Sequence, residues 1–197
     1  HHWERFCSDE LSGKTLAIIG AGRIGQEIAR ISRAFDMRPV GLTRTYSPER
    51  AAVLGLDHLY QRSELHEMLS TADAVVICAP HTPETEDLIG PSEFAAMKRG
   101  VVFINIGRGP LVDEAALVGA LRNGTIGLAG LDVFRTEPLP ADSPLWDFQN
   151  VMINPHSAST SDRENGRLMD ILIHNLHAFT DGRISDMRNV LDIERMY

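Results

Sequence analysis

The sequence predicts an α/β fold, a doubly wound parallel sheet. Three observations carry that expectation. Short apolar runs alternate with amphipathic segments between residues 15 and 153. The runs are near-continuous in apolar residues, the pattern of strands covered on both faces. Strand and helix patterns follow one another in turn, which places the strands in one parallel sheet with helices on its faces.

Thr15–Ile19 reads as the first strand. Residues 23–35 read as a helix with Ile24, Ile28, Ile31 and Phe35 on one apolar face. Residues 38–43 form the second strand and 57–60 a short third. Residues 62–69 are helical, and 74–79 (AVVICA) form a fourth strand. Residues 101–106 are a fifth, and Glu114–Arg122 is a helix stopped by Asn123-Gly124. Residues 125–131 and Val151–Ile153 complete the strands. A last and longest helix begins near Thr160, where Ser161 and Glu164 fit a capping box. Leu168, Ile171, Leu172, Leu176 and Phe179 follow at helical spacing, and Asp181-Gly182 stops it. The tail RNVLDIERMY follows. A short lead-in helix is expected ahead of the first strand, and His1-His2 is set aside as a tag-like start.

Composition narrows the function. The chain has 197 residues, 43% of them hydrophobic, enough for a packed core. The net charge is -8 from 27 acidic and 19 basic residues, with no basic run, which argues against a nucleic-acid partner. Two cysteines, Cys7 and Cys78, give neither a disulfide framework nor metal-ligand spacing. A reducing, cytoplasmic location is expected. No apolar stretch is long enough to span a membrane, and no signal peptide is visible.

Three signals converge on one sheet edge. The first is Gly20-x-Gly22-x-x-Gly25 between a strand and a helix. The first glycine permits a tight turn, the second lets backbone approach a pyrophosphate, and the third lets helix and strand pack closely. The helix start then offers N–H groups and partial positive charge to phosphate. This is a Rossmann-type dinucleotide-binding pattern, although a tight turn alone would also accept it. The second signal is an absence. An acid that would hold a ribose 2′-hydroxyl belongs near residue 43, and Thr43, Arg44 and Thr45 stand there instead. An arginine flanked by hydroxyls suits a 2′-phosphate, so NADP is favoured over NAD. The competing reading makes Arg44 a solvated surface charge. The third signal is a set of polar residues just past predicted strand ends: Arg108, Asp132 and His156, with Glu137 in the loop after Asp132. Ligands in open α/β sheets bind at that edge. Arginine, carboxylate and histidine beside a dinucleotide suit hydride transfer, whereas a lone histidine after proline also occurs as an ordinary loop residue.

The stretch INIGRGPLVDEAALVGALRNGTIGLAGLDVFRTEPLP, followed by NPHSAS, resembles the D-isomer-specific 2-hydroxyacid dehydrogenase family. The likeness runs from about Leu11 to the C-terminus and includes HTPETEDLI. It implies that Arg108 binds the substrate carboxylate and polarises the keto oxygen. It implies His156 as general acid and base, Glu137 as its carboxylate partner, and Asp132 beside the nicotinamide. The expected cofactor-binding set comprises Gly20, Gly22, Arg23, Ile24, Gly25, Thr43, Arg44, Thr45, Ala79, Pro80, Ile106, Asp132, His156 and Ser159, and the missing acid at residues 43–45 departs from the family pattern. No metal is implied. Phe134 and Pro138 match as framework.

Members of this family are two-lobed, with one lobe ahead of the glycine-loop domain. This chain starts almost at that domain and so resembles a fragment. Residues 1–158 are expected to be the dinucleotide-binding domain. Residues 159–197 would be a helix and tail that return to the missing lobe. A small 2-keto or D-2-hydroxy acid such as glyoxylate or hydroxypyruvate is the expected substrate, and a homodimer the expected assembly. Two alternatives stay open: an NAD-dependent D-2-hydroxyacid or phosphoglycerate dehydrogenase, and a non-catalytic dinucleotide-sensing protein akin to corepressors. A formate dehydrogenase is disfavoured, because such relatives carry glutamine where Glu137 stands. His81 departs from the apolar residue common at its position.

Overall fold

The structure, a computed structural model, describes residues 3–5, 7–47 and 49–191. The chain divides into two compact units, His1–Pro155 and His156–Tyr197. The first is built on strands β1 (Thr15–Ile19), β2 (Arg38–Leu42), β3 (His58–Tyr60), β4 (Ala74–Ile77), β5 (Val101–Asn105), β6 (Ile126–Leu131) and β7 (Val151–Ile153). Its helices are α1 (Arg23–Ala34), α2 (Arg50–Val53), α3 (Leu65–Thr71), α4 (Pro91–Ala96) and α5 (Glu114–Arg122). All strand pairs are parallel, in the order β3-β2-β1-β4-β5-β6-β7. The chain builds outward from β1 through β2 to β3, then returns to β4 and proceeds to β7. The order reverses between β1 and β4, and a crevice is expected there.

Register aligns the strand ends. Ile19 pairs with Leu42 on one side and Ile77 on the other. Ile77 pairs with Asn105, Asn105 with Leu131, and Leu131 with Ile153. The residues that follow these six therefore lie along one carboxyl edge.

The core follows from alternation along the strands. In β1, Ala17 and Ile19 join one buried cluster while Leu16 and Ile18 join the other. In β4, Val75 and Ile77 enter the first and Val76 the second. Coverage on both faces, expected for the whole sheet, holds here and fails toward β7. The second cluster contains no residue of β6 or β7, and Leu128 and Met152 are exposed.

Helix α1 differs from its expected orientation. It buries Gly25, Ala29 and Ser32, whereas Ile24 is 60% and Phe35 56% exposed. The reason is at the strand–helix junction. A Cβ on Gly25 would lie 2.6 Å from the Gly20 carbonyl oxygen and 3.0 Å from Ile18 Cγ2. The small side of the helix fits against β1; Ile24, Ile31 and Phe35 turn outward, while Ile28 packs half-buried against the second cluster. Among the described residues ahead of β1 no helix forms, and Trp3 there is exposed. Helices α2 and α4 were not anticipated; both are short.

The second unit holds α6 (Glu164–Thr180), the longest helix described. It starts after Arg163, without a side-chain cap, so the capping box at Ser161 is not formed. The Ser161 carbonyl instead accepts the Glu164 N–H at 3.1 Å, a turn ahead of the helix. The expected apolar face is present but open: Leu168, Leu172, Leu176 and Phe179 are exposed, and only Ala178 is buried. The following segment folds back, with Asn175 Oδ1 accepting the Arg188 N–H at 2.7 Å. Residues 192–197 of the tail, like His1-His2, lie outside the described residues.

Candidate active site

The glycine loop sits at the switch point, and its three glycines have three different reasons. Gly20 has φ +97°, and a Cβ there would lie 2.5 Å from the Ala79 backbone nitrogen. Any side chain would collide with the segment after β4. Gly25 is needed for the contact of α1 with β1. Gly22 has φ −75°, and a Cβ there would meet nothing within 4 Å. The fold does not require glycine at Gly22, and the space beside it is open. Gly22 also caps α1 with no side-chain hydrogen bond, and no acid stands in the first turn. An uncapped helix start with free space in front of it fits a pyrophosphate. The residues present therefore fit a dinucleotide.

The loop is anchored from below. The Gly20 N–H donates to the Leu42 carbonyl at 2.9 Å, and the Cys78 thiol donates to the Gly20 carbonyl at 3.0 Å. Burial pushes the Cys78 thiol up to about 12, so it stays protonated. Ala79 is buried beneath the loop and Pro80 is exposed. Arg23 and Ile24 are exposed on the first turn of α1, and Ile106 packs half-buried under the same edge.

After β2, no carboxylate occupies residues 43–45. Thr43 Oγ1 donates to the Thr45 carbonyl at 2.9 Å, which closes the turn and leaves Arg44 exposed at its tip. Arg44 faces Glu84 at 3.9 Å, an exposed pair of the weak kind.

After β5, Arg108 is held by residues that the sequence reading passed over. Asn105, 2% exposed, ends the strand. Its amide donates to the Arg108 carbonyl at 3.2 Å and its Oδ1 accepts the Gly107 N–H at 3.1 Å. A Cβ on Gly107 would lie 2.9 Å from the Ala79 carbonyl oxygen, and one on Gly109 only 1.9 Å from the Phe134 carbonyl carbon. Two glycines thus let the Arg108 loop pass between the segments after β4 and β6. The Arg108 side chain is exposed, with Nη1 donating to the Gly107 carbonyl at 2.7 Å.

After β6, Asp132 is buried and accepts a short hydrogen bond from the Asn154 amide, which follows β7. Glu137 is exposed and accepts the Phe134 N–H at 2.9 Å. Arg135 ties these loops together. It donates to Glu86 at 3.0 Å and also pairs with Asp87. His81 contacts the same Glu86. The His81 hydrogen bond, and then that of Arg135, hold the Glu86 carboxyl below the ordinary range. A polar residue ending an apolar strand, as Asn105 does, was a signal available in the sequence. Nothing in the sequence pointed to the Arg135 cluster.

His156 and Ser159 belong to the second unit, and both are exposed. His156 adopts φ 49°, a left-handed conformation uncommon outside glycine and frequent at functional sites.

A profile described as D-isomer specific 2-hydroxyacid dehydrogenase, NAD binding domain, matches residues 1–158. The chain belongs to the D-isomer-specific 2-hydroxyacid dehydrogenase family. It is 42% identical to a glyoxylate reductase of Aeropyrum pernix, over 89% of this chain and 51% of that protein. It is also 42% identical to a D-3-phosphoglycerate dehydrogenase of Mycobacterium tuberculosis, over 87% of this chain and 32% of that protein. Among solved structures it is similar to a family member from Xanthobacter autotrophicus Py2 in complex with NADPH and MES. There the TM-score is 0.86 and the identity 32%, covering 99% of this chain and 77% of the other. The chain thus spans between a third and a half of the curated relatives it matches. Among the described residues no helix is long and apolar enough to cross a membrane.

Proposed function

We propose that the protein to which this chain belongs transfers hydride between a nicotinamide cofactor, NADPH by preference, and a small 2-keto or D-2-hydroxy acid such as glyoxylate or hydroxypyruvate. The observation that carries the reading is the carboxyl edge itself. Open space at Gly22 lies next to an acid-free turn that presents Arg44. The similarity to a glyoxylate reductase and to an NADPH-bound structure supports it.

The bound cofactor supplies or accepts the hydride. The chain's residues then have distinct tasks. Arg108 would bind the substrate carboxylate and stabilise the negative charge that grows on the keto oxygen. His156, as imidazolium, would donate the proton to that oxygen, and Glu137 would stabilise the imidazolium. Asp132, with its carboxylate oriented by Asn154, would hold the nicotinamide carboxamide. The Asn105 clamp and the glycines around Arg108 would fix the guanidinium's loop, because placement of the charged group decides how much of the barrier it removes. The second unit would contact a substrate-binding lobe. A homodimer and a cytoplasmic location belong to the same proposal.

Replacement of Arg108 or His156 by alanine in the full-length protein should cost about 10²–10⁴-fold in kcat/KM for the preferred 2-keto acid. NADPH oxidation with glyoxylate and hydroxypyruvate reads this directly. Turnover near wild type in either variant would overturn the assignment.

A further inference from the structure

The loop after β5, which carries Arg108, is held at both ends. Asn105 clamps its entry. Its exit runs through a 3₁₀ turn, Gly109–Leu111, to Val112. There Arg135 reaches across from the loop after β6. Its Nη2 donates to the Pro110 and Val112 carbonyls, each at 3.4 Å. The same nitrogen pairs with Asp87, and Nη1 donates to Glu86 Oε1 at 3.0 Å. Glu86 and Asp87 follow β4, so one guanidinium joins the loops after three successive strands.

Backbone bonds already zip two of those loops together. The Asp87 N–H donates to the Pro110 carbonyl at 2.9 Å, the Ile89 N–H to the Leu111 carbonyl at 3.0 Å, and the Asp113 N–H to the Ile89 carbonyl at 2.9 Å. Arg135 adds the third loop to this pair, beside Gly109, where a Cβ would fall on the Phe134 backbone. Its planar fork suits the task, because separate N–H groups can serve separate acceptors at fixed angles. The Glu86 anchor is itself held: Oε1 takes Arg135 while Oε2 contacts His81. His81 stands two residues after Ala79, whose carbonyl oxygen lies 2.9 Å from the Cβ position of Gly107. The chain of contacts thus starts and ends beside the Arg108 loop.

Magnitudes separate two roles for this cluster. The side chains of Arg135, Glu86 and Asp87 are 38–53% exposed, and ion pairs of that kind add little to stability. Placement is a different matter. A displacement of about 1 Å in a group that binds the reacting atoms costs on the order of 10²-fold in rate.

We infer that Arg135 is a positioning residue that acts through Arg108. It fixes the exit of the Arg108 loop against the loops after β4 and β6, with Glu86 and Asp87 as its anchors and His81 orienting Glu86. The inference rests on the proposed role of Arg108 toward a 2-keto acid.

The test uses the full-length protein with NADPH and with glyoxylate or hydroxypyruvate. Arg135→Gln should lower kcat/KM for the 2-keto acid by about 5–50-fold and leave the NADPH Kd within about twofold of wild type. Its Tm should move by less than about 4 °C. Arg135→Lys should recover part of the activity, because it keeps the charge without the fork. Glu86→Gln and Asp87→Asn each remove one anchor charge and should show smaller losses of the same kind, which keeps the inference open to refutation if Arg135→Gln does not fold. Arg33→Gln is the control. Arg33 pairs with Asp57 and donates to the Gly55 carbonyl at 3.1 Å, a comparable exposed staple away from this edge. Its loss should move Tm as much and leave kcat/KM unchanged. In an Arg108→Ala background, Arg135→Gln should cost less than about twofold, because its effect passes through Arg108. Turnover within about twofold of wild type in Arg135→Gln would overturn the inference. So would full additivity with Arg108→Ala, equal losses in kcat/KM and NADPH affinity, or an equal loss in Arg33→Gln. If wild type reduces no 2-keto acid, the proposed function itself fails, and the inference falls with it.

Discussion

Alanine at Gly22 separates what the ligand needs from what the fold needs. The backbone at Gly22, φ −75° and ψ −154°, is open to any residue, and the new methyl would meet nothing within 4 Å. The folded state gains no clash, and the unfolded chain loses freedom. The expected change in stability is within about 1 kcal/mol, favourable if anything. For a chain of this size that is a Tm shift of about 2–4 °C at most. Gly25→Ala is the contrast. Its Cβ would lie 2.6 Å from a backbone oxygen, and overpacking of that kind costs about 1–3 kcal/mol. Binding should invert the order. A methyl at Gly22 occupies the space assigned to the pyrophosphate and removes close backbone donation to a charged group. Losing one to two such hydrogen bonds weakens NADPH by about 10–100-fold. Thermal unfolding and NADPH titration of wild type, Gly22→Ala and Gly25→Ala together decide the matter. A Gly22→Ala variant that is folded and binds NADPH within about twofold of wild type would refute the reasoning, since the open space would then have no occupant.

Other consequences concern stability and reactivity. Gly109→Ala places a Cβ 1.9 Å from the Phe134 backbone, so its cost should reach the upper end of the roughly 1–3 kcal/mol overpacking range. Urea unfolding would show it, and a neutral result would contradict the packing of the Arg108 loop. Asp73 should make stability depend on acid pH. Burial acts to raise its carboxyl, but the Thr15 N–H at 2.8 Å and the Lys98 ammonium at 2.9 Å outweigh burial and hold it below the ordinary value. Its contribution is complete above the unfolded value of about 4 and is lost as pH falls through the lower folded value. Wild type should therefore lose stability on acidification more steeply than Asp73→Asn, and parallel curves would count against this. Cys78, with its thiol pushed up to about 12, should resist iodoacetamide at pH 8 in the folded chain and react on unfolding. Mass mapping that found Cys78 alkylated under native conditions would contradict its burial and its bond to Gly20.

The strands and their common edge were legible because a parallel sheet demands long apolar runs, and the residue that breaks each run marks its carboxyl end. Gly20, Thr43, Arg108 and Asp132 were found that way. The orientation of α1 was not. Periodicity identified the apolar face, but steric fit at Gly25 decided which face packs: Ile24, Ile31 and Phe35 lost to small residues, and only Ile28 keeps a partly buried place against the core. The start of α6 was misplaced because Ser161 and Glu164 have capping-box spacing while the chain makes a backbone turn first. The clamps on the Arg108 loop were invisible for a different reason. Gly107, Gly109 and Asn105 matter through segments after β4 and β6, distant in sequence, and only the sheet order brings them together. Arg135, Glu86 and Asp87 are the same case. Each reads alone as a solvated charge, and the pairing exists only in the fold.

The central claim is that the carboxyl edge of this sheet holds a dinucleotide and reads its 2′-phosphate. Side-by-side titration of the purified chain with NADPH and NADH tests it most directly. NADPH should bind at least about tenfold tighter, a difference of about 1.4 kcal/mol. Equal or tighter binding of NADH, or no binding of either, would contradict it.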